Sequence, residues 1–213
     1  MKQLNSKKVS LSVITLAIIS CLIAYPFLPE QVAIHWSNGE ADNFGNKNWA
    51  TFLIPVIMVL SFFLMNLYVK SNDLKAQNQK NSPILMNAFN LYMIFLFMIH
   101  LMTIAFGLGV EFSINMFVGL LVGSVSIGIA NPMPKLKPNH IYGLRTPWTL
   151  KDERVWKKSN RFASKLLVII GIIIIILTFI FPEHITPISL GLLIVVTVIS
   201  IIHSYLTYKE VAT

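Results

Sequence analysis

Three sets of residues in this chain have side chains able to do chemistry. His35, Glu40 and Asp42 are ligand types for a divalent cation and lie close together in sequence. Their spacing matches no established metal pattern, and the tight-turn signal Asn38-Gly39 interrupts them. With Glu30 they read as a solvated acidic loop, in which Trp36 and His35 form an anchor. His100 and His203 each sit inside a long apolar run, where an ionisable group is a functional candidate by default. No carboxylate shares those runs, so neutral histidines hydrogen-bonded across helices are the simpler reading. Arg145, within Gly143-Leu144-Arg145-Thr146-Pro147-Trp148, brings a bidentate donor fork to a stiff corner. Two readings of it stand open: a clamp for a partner's carboxylate or a lipid phosphate, and a plain cap or headgroup contact. The sequence has no nucleophile elbow, His-Glu-x-x-His zinc site, phosphate loop or Cys–His pairing, so it offers no case for an enzyme, a cofactor or a resident metal.

The elements that must position these residues follow from composition. The 213-residue chain is 55% hydrophobic and only 12% charged, with a mean hydropathy of +0.68. A soluble domain carries about 25% charged residues, so lipid is the solvent implied here. A bilayer core about 30 Å thick needs roughly 20 helical residues. Six apolar stretches meet that length, at about 9–28, 50–69, 84–106, 112–130, 162–181 and 185–206; the one charge in them is Lys165, near the start of the fifth. The run VIIGIIIIILT (168–178) would suggest a strand in water. In hydrocarbon an isolated strand leaves its backbone unpaired, so this run too reads as helix. The fold class expected is an all-α membrane protein, a bundle of six transmembrane helices.

Charge sets the orientation. Of 17 Lys and Arg residues, 8 lie between Pro132 and Arg161, and 16 of the 17 fall in alternate segments that include both termini. Lys and Arg are retained on the cytoplasmic face, so both termini are expected inside. Five acids (Glu30, Glu40, Asp42, Glu111 and Glu183) then face out. A pI near 9.6 reflects this topology and an anionic inner leaflet, with no direct binding of nucleic acid. The expected organisation is a two-span segment, residues 1–70, with an outer loop at 29–49. A four-span segment, residues 71–213, follows, with a cytoplasmic loop at 131–161. Lys7-Lys8, a short apolar run and Cys21 resemble an acylated lipoprotein leader, but the residues after Cys21 stay apolar. Cys21 is better read as a packing residue.

Local signals give these loops shape. Val32, Ile34 and Trp36 alternate with Ala33 and His35 before Asn38-Gly39, which predicts a short hairpin-like or irregular cap, with Trp36 and Trp49 at interface depth. The second connection, SNDLKAQNQKNSP, is polar and carries no chemistry. In the basic loop Pro132, Pro134 and Pro138 stiffen the lead-in. Thr149-Leu150-Lys151-Asp152 matches a capping box, which predicts a helix running into the fifth span on Val155, Ser159, Phe162, Ala163 and Leu166. Gly119 and Gly123, followed by Ser124 and Gly128, let another helix approach closely, within the protomer or between copies. Thr197, Ser200, Ser204 and Thr207 form a polar stripe expected to face the bundle.

The stretch 128–167 carries Asn131, Pro134, Lys135, Gly143, Arg145, Thr146, Pro147, Trp148, Thr149, Val155, Trp156, Asn160 and Arg161. In these residues it resembles the signature of the SdpI family of bacterial membrane immunity proteins. The outer loop is similar to the amino-terminal domain of unknown function that accompanies it, from Leu28-Pro29 through Ile34-His35-Trp36 to Gly39-Glu40-Ala41-Asp42 and Lys47. The resemblance implies protection against a secreted, membrane-active toxin peptide, together with retention of a soluble transcriptional repressor at the membrane. It brings no catalytic residues. On this reading Glu30, His35, Trp36, Glu40 and Asp42 face the toxin. Gly143, Arg145, Thr146, Pro147, Trp148, Trp156, Lys157 and Lys158 meet the cytoplasmic partner. The alternative from a different class is a small transporter or exporter whose path is lined by His100, His203 and the stripe on the sixth span.

Overall fold

The structure is a computed structural model that describes residues 7–37, 39–70 and 75–212. Among the described residues six helices are long and apolar enough to cross a membrane: Lys7–Phe27, Lys47–Tyr68, Ile84–Gly107, Ile114–Lys135, Glu153–Ile180 and Pro182–Val211. In chain order the elements are α1 (Lys7–Ala24), the strands β1 (Gln31–Ser37) and β2 (Glu40–Asn46), α2 (Lys47–Lys70), α3 (Lys75–Gly107), α4 (Ile114–Ala130), the short α5 (Pro147–Lys151), α6 (Glu153–Ile180) and α7 (Ile185–Ala212). This is the mostly helical, six-span architecture that the apolar runs imply, with one two-stranded hairpin added. Lys2, Asn38 and residues 71–74 of the polar connection lie outside the described residues, as do the side chains of Lys70, Lys75 and Lys80. The connection is not a loop throughout, because the backbone is already helical from Lys75.

The chain forms two compact units. The first takes residues up to Lys75 and Phe89–Ile114. Ile14 and Ala17 of α1, Met58 of α2 and Met93 of α3 form its core. A second cluster, Ala24, Leu28, Val32, Ala50 and Ile104, ties the base of the hairpin to the ends of the helices. Pro55 lies inside α2 and has no N–H to offer the carbonyl of Thr51, one turn before it. In lipid that carbonyl needs another donor. Cys21 Sγ supplies it at 3.2 Å, which gives the one cysteine, fully buried in an intact helix, a structural task.

The second unit takes residues 76–88 and 115–213. Here α4 and α6 meet backbone to backbone. A Cβ on Gly123 would lie 2.8 Å from Gly171 O, and a Cβ on Gly171 would lie 2.7 Å from Gly123 O. Gly119 instead abuts the side chains of Thr178 and Ile185. Without side chains at these glycines the helices approach closely, and dispersion can hold them where lipid offers no hydrophobic drive. Gly119 and Gly123 are therefore engaged within the protomer, while Ser124 is exposed. On α7 the buried stripe is Ser189, Val196, Ser200, Ser204 and Thr207. Thr197, expected in that stripe, faces outward, because helical spacing places Val196 inward instead. The outward faces of α1, α2, α6 and α7 carry large exposed apolar side chains, as lipid contact requires.

Candidate functional site

Two surfaces gather the residues singled out by the sequence, one in each compact unit. The hairpin belongs to the first. Its strands pair antiparallel from Gln31 opposite Asn46 to Ser37 opposite Glu40, with irregular register at Ala33, His35 and Trp36. Gly39 takes φ +86°, the left-handed conformation a two-residue turn demands. The base is latched three times through Lys47. Its N–H donates to Glu30 O at 3.0 Å, its ammonium pairs with the Glu30 carboxylate at 3.0 Å, and the same ammonium sits 5.3 Å from the centre of the Tyr25 ring.

Nearer the turn, Asp42 accepts from Ser37 Oγ at 2.6 Å and faces His35 Nδ1 at 2.6 Å. The Ser37 hydroxyl first, and His35 second, hold the Asp42 carboxyl below its ordinary range. Trp36 packs edge-on against Phe106 at 6.0 Å. Of the five residues expected on this surface, Glu40 is exposed beside the turn, while Glu30 and Asp42 spend part of their charge on the hairpin itself. Among the described residues no group of three or more His, Cys, Asp or Glu could hold a metal ion.

The basic loop belongs to the second unit, and many of its residues hold its shape. After a turn at Met133–Lys135, Trp156 Nε1 donates to Leu136 O at 2.7 Å, and its ring is 1% exposed. Asn139 is buried and folds the chain around itself. It accepts from the N–H groups of Ile141 and Tyr142 and donates to Lys137 O at 2.9 Å. Tyr142 Oη donates to Ile129 O at 2.6 Å, and burial pushes its phenol well above the usual range, so it stays protonated as a donor. Gly143, at φ +106°, passes so near Asn160 that a Cβ would meet the amide oxygen. That oxygen accepts from Leu144 N–H at 2.7 Å, while Asn160 Nδ2 donates to Trp156 O at 3.1 Å.

Past this weld comes Arg145, exposed, with one terminal nitrogen donating to His140 O. Thr146 then caps α5 with Pro147 in its first turn. The reciprocal cap is Thr146 with Thr149: Thr149 N–H donates to Thr146 Oγ1 at 3.2 Å and Thr146 N–H to Thr149 Oγ1 at 2.8 Å. The expected capping box Thr149–Asp152 is therefore displaced. Thr149 completes the N-terminal cap of α5, and Asp152 caps α6 by accepting from Arg154 N–H at 2.7 Å and from Val155 N–H. The Arg154 side chain, 3.0 Å away, is the main cause that holds the Asp152 carboxyl below its usual range. From Glu153, α6 runs unbroken to Ile180. Trp148 Nε1 donates to Ser204 Oγ at 2.9 Å, and its ring meets Tyr205 edge-on at 5.3 Å, which moors α5 on α7.

The exposed part of this surface is thus Arg145, Pro147, Lys157 and Lys158, with Trp148 half-buried. Gly143, Thr146 and Trp156 position it from beneath. Trp156 was expected at the contact surface, but it is buried, with its indole N–H turned inward to Leu136 O. Asn139, Tyr142 and Asn160 were not singled out as site residues. Pro138-Asn139 is a turn-forming step that offered a signal for the first; the other two are legible only from their long-range partners.

The two histidines lie in different units. His100 is buried, with Nε2 3.0 Å from Ser20 Oγ and 3.2 Å from Ala17 O, a cross-helix bond of the kind expected. His203 stacks flat on Phe162 at 3.7 Å, and its Nδ1 is buried without a partner among the described residues.

Comparison with known proteins bears on both surfaces. A model of the SdpI/YfhL protein family matches residues 135–204, and one of a domain of unknown function (DUF1648) matches residues 12–59. The chain is 40% identical over 205 residues, 95% of each chain, to the Immunity protein SdpI of Bacillus subtilis (strain 168). It is 33% identical over 86 residues to the Uncharacterized protein YfhL of the same organism, covering 38% of this chain and 77% of that protein. No solved structure matches it. The first family match takes in the basic loop from Lys135 together with α6, and the second takes in the hairpin.

Proposed function

The chain belongs to the SdpI/YfhL protein family, and from that premise we propose that it is a multi-pass membrane immunity protein that protects its cell against a secreted, membrane-active toxin peptide. The observation that carries the proposal is the identity to an immunity protein across 95% of both chains, hairpin and basic loop included. Both termini lie in the cytoplasm on this reading, with the basic residues retained on that side. The hairpin then faces out. Its exposed Glu40 and the Glu30 and Asp42 carboxylates favour a cationic or amphipathic peptide, and charge complementarity speeds encounter more than it adds affinity. Residues 1–70 form the toxin-facing segment. Residues 71–213 carry the loop 131–161, whose exposed Arg145, Pro147, Trp148, Lys157 and Lys158 meet a soluble repressor in the cytoplasm.

Expression of the protein in a strain killed by toxins of this class tests the reading. Restored growth against at least one such peptide is the expected outcome, and unchanged killing by all of them would overturn it. Charge reversal of Glu40 and Asp42 to Lys is expected to weaken protection while the protein still inserts. Arg145→Lys keeps the charge but loses the planar fork, so it is expected to retain protection and to lose retention of the repressor at the membrane.

A further inference from the structure

A second charged feature, which shares only Lys158 with the surfaces described above, is a cleft of about 440 Å³ between α6 and α7. Lys158, Arg161 and Lys165 line one wall. Their spacing puts them on one face of α6, over two turns of helix, or about 10 Å. Phe162 and His203, stacked on each other, form the floor, and Leu206 adds an apolar side. Thr207 and Glu210 complete the rim, so three cations face one carboxylate. No ion pair engages Lys158, Arg161 or Lys165 among the described residues.

Three unpaired like charges on one helix face repel one another unless an anion lies between them. The depth of the cleft says where that anion comes from. Lys165 is the last charged residue of α6, and the 16 residues from Leu166 to Phe181 are all without charge. The cleft therefore spans the border between charged and hydrocarbon-facing helix, where lipid headgroups sit. Beside it on α7, Ile202 and Leu206 are more than half exposed, so the opening is flanked by lipid-facing side chains.

The geometry points to a phosphate-binding site for the headgroup of an anionic glycerophospholipid, held by Lys158, Arg161 and Lys165 above the Phe162–His203 floor. Arg161 offers the planar fork that takes two phosphate oxygens, and the lysines add point charges on either side. The apolar wall at Leu206 suits the start of an acyl chain. The site stands on α6 and α7 alone and does not depend on the toxin reading.

The test uses the full-length protein in nanodiscs of mixed phosphatidylglycerol and phosphatidylcholine, extracted into detergent, with retained lipid counted by native mass spectrometry. Preferential retention of phosphatidylglycerol is expected. Each cation near anionic lipid contributes about 1 kcal/mol, so the pair Arg161→Gln and Lys165→Gln is expected to lower retention by roughly tenfold or more. The control pair Lys151→Gln and Lys157→Gln removes the same charge outside the cleft and is expected to change it by less than about twofold. The charge-preserving pair R161K and K165R keeps most binding even if the Gln pair folds poorly. Equal retention of the two lipids, or equal loss in the cleft and control pairs, would overturn the site. Displacement by millimolar inorganic phosphate would reassign the cleft to a free anion and overturn the lipid assignment; persistence of the lipid supports it.

Discussion

The hairpin and the basic loop both carry family signatures, yet they are held in opposite ways. The hairpin keeps its shape by backbone pairing and by polar contacts at its surface, such as His35 with Asp42 and the half-buried Lys47 with the exposed Glu30. Contacts of that kind contribute little and are screened by salt. The basic loop is held by neutral bonds to the backbone from buried side chains, those of Asn139, Thr149, Trp156 and Asn160. Water cannot replace those bonds, so breaking one costs the full desolvation of the group left behind. The hairpin is therefore a surface that can vary its charges, whereas the loop is a frame whose shape is fixed and whose charges ride on top.

The most damaging way to break this contrast is Trp156→Ala, which empties a fully buried site and strands Leu136 O. A loss of about 3–5 kcal/mol is expected in denaturant titration of the detergent-solubilised protein. Limited trypsin digestion should then cut after Lys135 and Arg145 faster than in the unsubstituted protein. A milder result than that of any hairpin substitution would show that the frame is not where stability resides. Next comes Asn160→Ala, which leaves Leu144 N–H unpaired beside the Gly143 turn. It is expected to cost about 1–3 kcal/mol, with increased amide exchange confined to residues 139–150. Gly143→Ala meets both the positive φ and the Asn160 amide, and it should cost a similar ~1–3 kcal/mol.

On the hairpin side effects shrink. Glu30→Gln removes an ion pair whose carboxylate is 77% exposed, so a change below about 1 kcal/mol is expected, and added salt should erase it. The smallest effect is pH-dependent. Because the folded hairpin lowers the Asp42 carboxyl, the unfolded chain binds the proton more readily. The stability Asp42 contributes is therefore complete above the ordinary carboxylate pKa and is lost as pH falls through the lowered folded value. Nuclear magnetic resonance of the hairpin amides should show loosening only at acid pH. In Asp42→Asn that transition should vanish, and its persistence would assign it to another group.

Much of this architecture was legible in the residues. Six apolar runs of bilayer length gave six spans, and Asn38-Gly39 with its alternating flank gave a hairpin, because both signals are local and need no partner. The caps were harder. Thr149 followed by Asp152 has the pattern of one capping box, but Thr146 lies one turn before and Pro147 starts a helix there, so one box became two separate caps. Thr197 was misread because a polar residue one position from a buried stripe cannot reveal which way its helix turns. Tyr142 and Asn160 carry no local signal of the bonds they make to residues 13 and 16 positions away.

What the sequence determined alone is the solvent: too few charges and six long apolar runs leave lipid as the medium and helices as its consequence, since an unpaired backbone is too costly there. It also placed the positive charge, 8 of the 17 basic residues in one loop. Only the tertiary structure decided what that charge rests on. Trp156, Asn160 and Gly143 became a frame and left Arg145 on its surface, and α6 met α7 so as to turn Lys158, Arg161 and Lys165 into the wall of a cleft. Those outcomes depend on which face each helix presents to its neighbour. Composition and local pattern cannot set that, because a helix buried in lipid is apolar on every side and only close packing chooses among its faces.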